Sequence, residues 1–170
     1  ARSTREDADF ERAPIAIRQA MQDLPDVAEL SRNVVVEQTP EGLRIQIIDQ
    51  EGRSMFAPGD AAPNDRARRL LVAISGVISQ LPNRLTISGH TDGSTPGGRY
   101  NSNFELSAAR ANEARRILMG QGIPSDRIYE VAGRADSEPM FPDDPTMPGN
   151  RRIAITLLRE APPLPADHDL

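Results

Sequence analysis

The chain contains no cysteine and no tryptophan. Without cysteine there are no disulfides and no thiolate metal sites, and the chain suits any compartment, an oxidising one included. Aromatic residues make up 4% and apolar residues 38% of the 170 positions. That lean supply predicts one compact core with polar ends. No apolar run is long enough to span a bilayer. The longest, Leu70 to Ile78, is interrupted by Ser75 and Gly76. Positive charge is also short: the formal net charge is -5. A duplex-binding module shows the opposite balance, so nucleic acid is not an expected partner. There is no initiating Met and no signal peptide. Ala1-Arg2-Ser3-Thr4-Arg5 reads as the edge of an excised fragment, with any membrane anchor or targeting signal left upstream.

What is present has clear periodicity. Residues 1–9 are small and charged and are expected to be disordered. The spacing of Ala13, Ala16, Ile17, Ala20 and Leu24 predicts a helix. Pro14 belongs in a first turn, so the helix should start near residue 12 or 13 and stop before Pro25. Val34-Val35-Val36, the turn Thr39-Pro40-Glu41-Gly42 and the alternation Leu43, Ile45, Ile47 predict a β-hairpin over residues 33–48. Asn64 or Asp65 can cap the next helix. Its stripe Ala67, Leu70, Leu71, Ile74, Val77, Ile78 and Leu81 is close to an ideal 3.6-residue period. A strand through Leu85 and Ile87, a Gly/Ser/Pro loop at 93–102 and a helix from about Asn103 to Met119 follow. Residues 127–133 form a strand, 134–149 a Pro-rich loop, and 152–158 a last strand. The order from residue 33 is β-β-α-β-α-β-β. That is an α/β chain of the α+β type, a mixed sheet with helices packed on one face.

Candidate chemistry converges on residues 84–120. His90 and Asp92 could begin a metal site, but the third ligand is missing, because the only other histidine, His168, lies in the tail. Serines 88, 94, 102 and 107 have His90 as a possible partner, yet no nucleophile elbow is present. The loop Gly93-Ser94-Thr95-Pro96-Gly97-Gly98 lacks the Gly-Lys-Ser/Thr ending of a phosphate-binding loop. It reads as a plain connection. Asp92 ends a strand, and Arg110 lies two turns into the following helix, on the face of Asn103. A carboxylate, a guanidinium and a helix N-terminus gathered at one end would suit a ligand bearing both an ammonium and a carboxylate. On spacing alone a structural Asp92–Arg110 salt bridge fits as well, and is the simpler reading.

The order Gly89-His90-Thr91-Asp92, Asn103, Leu106-Ser107, Arg110-Ala111 resembles the signature of OmpA-like peptidoglycan-binding domains. Gly122-Ile123-Pro124, Arg127-Ile128, Gly133, Glu138-Pro139 and Asn150-Arg151-Arg152 continue the match, which covers about residues 40–159. Gly42-Leu43-Arg44-Ile45 with Met55-Phe56 and Gly59 makes it most similar to the periplasmic domains of flagellar stator proteins. The resemblance implies residues 33–159 as the binding domain, 1–32 as a flexible N-terminus and periplasmic linker helix, and 160–170 as a disordered tail. The ligand implied is the diaminopimelate of the cell-wall stem peptide, held mainly by Asp92 and Arg110. Thr91, Asn103, Leu106 and Arg151 fall at further pocket positions. No catalytic residue, metal or cofactor is implied. The expected partners are peptidoglycan, a second copy of the chain, and a MotA-like stator membrane subunit. The chain departs from the pattern in its long 93–102 loop and in the looser stretch Gly133 to Glu138. A different envelope anchor (an outer-membrane lipoprotein or a secretion-system subunit) is the first alternative, and a cell-wall hydrolase the second.

Overall fold

The computed structural model describes residues 2–160. The predicted tail from 161 onward, with His168, lies outside the described residues. A hairpin opens the sheet: β1 (Val34–Thr39) and β2 (Gly42–Ile48) pair antiparallel, with Thr39 opposite Gly42 across a two-residue turn. α3 (Asp65–Ile78) leads to β3 (Leu85–His90), α4 (Asn103–Gly120) to β4 (Ile128–Gly133), and β5 (Arg152–Leu158) closes the chain. The sheet order is β1-β2-β5-β3-β4. β3 and β4 run parallel and every other pair is antiparallel, so the sheet is mixed as expected.

Side-chain alternation along the strands divides the sheet into two faces. Leu43, Ile45, Ile47, Leu85, Ile87, Ile153, Ile155 and Leu157 are buried and join the apolar stripes of the helices in one core. The other face is polar, with Gln46, Ser88, His90, Arg152 and Thr156 in neighbouring register. α3 begins where its cap predicts: the Asn64 side chain accepts from the Ala67 N–H at 3.0 Å. α4 begins at Asn103, where the sequence places it, and its cap is the preceding Ser102. The Ser102 hydroxyl accepts from the Glu105 N–H at 3.2 Å, and the Glu105 carboxylate accepts from the Asn101 N–H at 3.2 Å.

The N-terminal region departs from expectation. α1 spans Arg2–Ala20, so residues 2–9 are helical and Pro14 sits in the helix interior. A short α2 (Val27–Leu30) follows. Packing explains the early start: Phe10, Ala13, Ile17 and Met21 form a buried stripe on the core. The missing Pro14 N–H is tolerated because tertiary burial outweighs the loss of one intrahelical bond. Polar contacts fix the first turns as well. The buried Glu6 carboxylate accepts from Asn83 Nδ2 at 2.8 Å and from the Glu160 N–H at 2.9 Å. Arg159 pairs with Asp7 at 2.6 Å and stands over the Phe10 ring. No described helix is long and apolar enough to cross a membrane.

Candidate functional site

Strand order assembles the site. β5 lies between β2 and β3 and runs antiparallel to both. The residues that leave the C-terminal ends of β2 and β3 therefore flank the residue that enters β5. Those residues are Asp49, Thr91-Asp92 and Arg151. The backbone ties them: the Asp49 N–H donates to the Arg151 carbonyl at 3.0 Å.

α4 is pressed onto the same region by two close approaches. A Cβ on Gly89 would stand 2.1 Å from the Ser107 carbonyl oxygen, and one on Gly133 would stand 2.4 Å from the Ala108 nitrogen. Only residues without a side chain let the helix sit this near β3 and β4. Ser107 completes the join. Its hydroxyl accepts from the Ala135 N–H at 3.0 Å, and the Ala135 carbonyl accepts from the Thr91 N–H at 2.9 Å. The loose stretch after Gly133 thus orients Thr91, with Ala135 itself at a positive φ of 52°.

The result is a cavity of about 280 Å³ lined by Asp92, Arg110, Thr91, Asn103, Leu106 and Arg151, together with Phe56 and parts of the 54–59 and 94–97 loops. All six residues singled out in the sequence meet here. Asp92 and Arg110 do not pair with each other. Asp92 accepts from Arg151 Nη1 at 2.6 Å and from the Ser94 N–H at 2.8 Å. Burial opposes its ionisation, but the Ser94 N–H and the Arg151 guanidinium outweigh it and hold the carboxyl below its ordinary pKa.

Arg110 is only 4% exposed and forms no ion pair among the described residues. Its Nε donates to the Asp60 carbonyl at 2.8 Å and its Nη2 to the Ala57 carbonyl at 3.3 Å. Its guanidinium lies 4.6 Å from the Phe56 ring centre, a favourable cation–π arrangement. Burial lowers its pKa, although Asp49 and Asp92 pull the other way. It remains cationic, because a guanidinium titrates far above neutrality. A fork fixed by two carbonyls and a ring is pre-organised for a planar anion such as a carboxylate.

The other lining residues divide between contact and support. The Thr91 hydroxyl is buried and has no partner among the described residues. Leu106 is an apolar wall. Asn103 donates from Nδ2 to the Ser94 carbonyl at 2.9 Å, so it fastens the 93–102 loop. That loop is more than a connection. Its Gly93 N–H donates to the Pro145 carbonyl at 2.8 Å, and Ser94 to Gly97 form a cavity wall facing Gly59. His90 belongs elsewhere. It lies on the polar sheet face with Nε2 2.9 Å from Ser88 Oγ, and its buried Nδ1 has no partner among the described residues. Burial, helped by Arg152, lowers its pKa to about 4. Among the described residues no three His, Cys, Asp or Glu side chains gather to hold a metal ion.

Sequence reasoning passed over Asp49 and assigned no site role to Phe56. Asp49 is 2% exposed and accepts from Arg151 Nε at 2.8 Å and from the Met55 N–H at 2.7 Å. The available signal was a carboxylate immediately after the apolar strand end Ile47-Ile48. Phe56 was visible as part of the Met55-Phe56-x-x-Gly59 pattern.

A mixed sheet layered by helices on one face, with an Asp/Arg cavity at the strand ends, defines an α/β module with one candidate binding site. The chain belongs to the OmpA family, whose pattern matches residues 55–152. It is 39% identical over 138 residues to Motility protein B of Escherichia coli (strain K12), covering 80% of this chain and 45% of that protein. The chain thus spans less than half the length of that relative. Among solved structures, the periplasmic domain of Helicobacter pylori MotB (residues 90–256) superposes with a TM-score of 0.67 at 23% identity, covering 79% of this chain and 84% of that one. The cell wall anchor of the T6SS from Pseudomonas aeruginosa superposes with a TM-score of 0.63 at 29% identity, covering 76% and 90%.

Proposed function

We propose that this domain binds peptidoglycan non-covalently, by the zwitterionic end of diaminopimelate in the stem peptide, and catalyses nothing. The observation that carries the proposal is the pairing of opposite charges in one cavity. Asp92 offers carboxylate lone pairs to an ammonium, and the pre-organised Arg110 offers N–H donors to a carboxylate. Arg151 adds a second cation beside the first, and the unpartnered Thr91 hydroxyl a polar contact. Leu106 and the Phe56 ring cover the methylenes between the two ends. Asn103 acts indirectly, by holding the loop wall.

Similarity to Motility protein B supports a role in anchoring a flagellar stator unit to the wall. In that role the chain is the periplasmic part of an inner-membrane protein, acts as a homodimer and works beside a MotA-like membrane subunit. Residues 33–159 are the binding domain, with α1 packed on its core, and the segment before residue 33 lies on its membrane side. Similarity to the T6SS anchor supports a second reading, in which the same ligand is held for a secretion system. The sequence upstream separates the two: a single membrane helix bearing an Asp marks the stator.

Sedimentation with purified sacculi tests the function. The domain should pellet with diaminopimelate-type walls and release no soluble muropeptides. Failure to pellet would remove the binding reading, and released fragments would establish the hydrolase instead.

A further inference from the structure

Behind the cavity, Arg151 bridges two carboxylates. Its Nη1 reaches Asp92 at 2.6 Å and its Nε reaches Asp49 at 2.8 Å. Asp92 and Arg151 line the cavity and Asp49 does not. Asp49 therefore acts on a ligand without touching it, by holding Arg151 and by the reach of its charge to Arg151 and Arg110. It is also costly to keep: at 2% exposure, burial raises its pKa, although Arg151 and the Met55 N–H oppose the rise. Structural needs alone do not require a carboxylate here. An asparagine would accept the Met55 N–H equally well. What asparagine cannot supply is the negative charge.

Counting charges shows what that charge does. Asp49 and Asp92 contribute two negatives, and Arg110 and Arg151 two positives. Asp60 approaches Arg110 with its backbone carbonyl, and its own carboxylate accepts from the Ala62 N–H in an exposed loop. Solvent screens that fifth charge. The cluster around the cavity is thus balanced. Without Asp49 it would carry an excess positive charge, and a ligand's ammonium would meet two guanidinium groups and one carboxylate.

We propose that Asp49 is the positioning residue that sets the charge selectivity of the site: by neutralising and aiming Arg151, it makes the cavity select a net-neutral zwitterionic end over an end bearing only a carboxylate or only an ammonium. The proposal rests on the peptidoglycan-binding reading. It goes further by assigning selectivity to a residue that touches no ligand.

Three stem tripeptides, L-Ala-γ-D-Glu-X, probe it by calorimetry. In the first, X is meso-diaminopimelate. In the second it is 2-aminopimelate, which keeps the end carboxylate and lacks the ammonium. In the third it is lysine, which keeps the ammonium and lacks the carboxylate. Wild type should bind the first best. Asp49→Asn should shift the 2-aminopimelate-to-lysine affinity ratio upward by roughly tenfold, because the loss of one unit negative charge beside Arg151 acts oppositely on the two ends. Arg151→Met should shift the same ratio downward. The double variant Asp49→Asn/Arg151→Met restores the balance and should return the ratio to near its wild-type value. A purely structural Asp49 would weaken all three peptides by one common factor, and that result overturns the proposal. If Asp49→Asn does not fold, the double variant and Arg151→Met decide it: a downward shift in Arg151→Met that the double variant fails to reverse also overturns it. Wild type that binds none of the tripeptides would defeat the peptidoglycan reading, and this inference with it.

Discussion

Asp92 and Arg110 line one cavity without touching. The ion-pair partner of Asp92 is Arg151, at 2.6 Å, while Arg110 is held by the carbonyls of Asp60 and Ala57. The two groups therefore do not neutralise each other directly. Each is held in place by its own support, and the cavity opens between them. The simpler alternative that spacing allowed, a structural Asp92–Arg110 salt bridge, is not what the chain forms.

The loop wall should matter for binding more than for folding. Asn103→Ala removes the hydrogen bond to the Ser94 carbonyl at an exposed position. A hydrogen bond of this kind is worth about 0.5–1.5 kcal/mol. Sacculus affinity is expected to fall about threefold, with little change in melting temperature. Unchanged affinity would show that the loop needs no anchor.

Close packing between α4 and β3 should be intolerant of a single methyl group. In Gly89→Ala the new Cβ would stand 2.1 Å from the Ser107 carbonyl oxygen, so the helix must shift. Overpacking against backbone costs about 1–3 kcal/mol or more. Because α4 carries Arg110, binding is expected to weaken along with stability in urea denaturation. A variant as stable as wild type would contradict the contact.

Acid should weaken the domain through His90. Its pKa falls from 6.5 in the unfolded chain to about 4 in the fold. Between those values the unfolded chain holds a proton that the folded chain does not. Stability contributed by the neutral ring is therefore complete above 6.5 and declines as pH falls toward 4. The decline is of order 2–3 kcal/mol across that window. His90→Gln should flatten the slope of denaturation free energy against pH between 6.5 and 4. An unchanged slope would place the proton uptake elsewhere.

α1 should behave as part of the core. Phe10 is fully buried, and truncating a buried Phe costs about 3–5 kcal/mol. Phe10→Ala should lower the midpoint of one cooperative transition. A separate early transition, with the main one unmoved, would show α1 to be an independent unit.

Legibility in the sequence followed contact distance along the chain. The β2 alternation and the α3 stripe depend on local periodicity, and both appear where the spacing puts them. The start of α1 does not, because what orders its first turns lies far away: Glu6 meets Asn83, 77 positions on. Asp49 escaped notice for the same reason. Its partner Arg151 is 102 residues distant, and only the β2-β5-β3 order brings the two together. Asp92 and Arg110 were legible because one strand–loop–helix unit carries both. The 93–102 loop was not, since Gly, Ser and Pro mark a turn without saying what the turn encloses.

Competition for the wall is the most direct test of the central claim. Sacculus sedimentation would be measured for wild type, Asp92→Asn and Arg110→Ala, each with and without free meso-diaminopimelate. Wild type should pellet and be displaced by the amino acid. Each folded variant should lose at least ~10-fold in affinity, the loss expected for a charge-assisted contact. Wild-type binding that resists displacement, with both variants pelleting as well as wild type, would contradict the site.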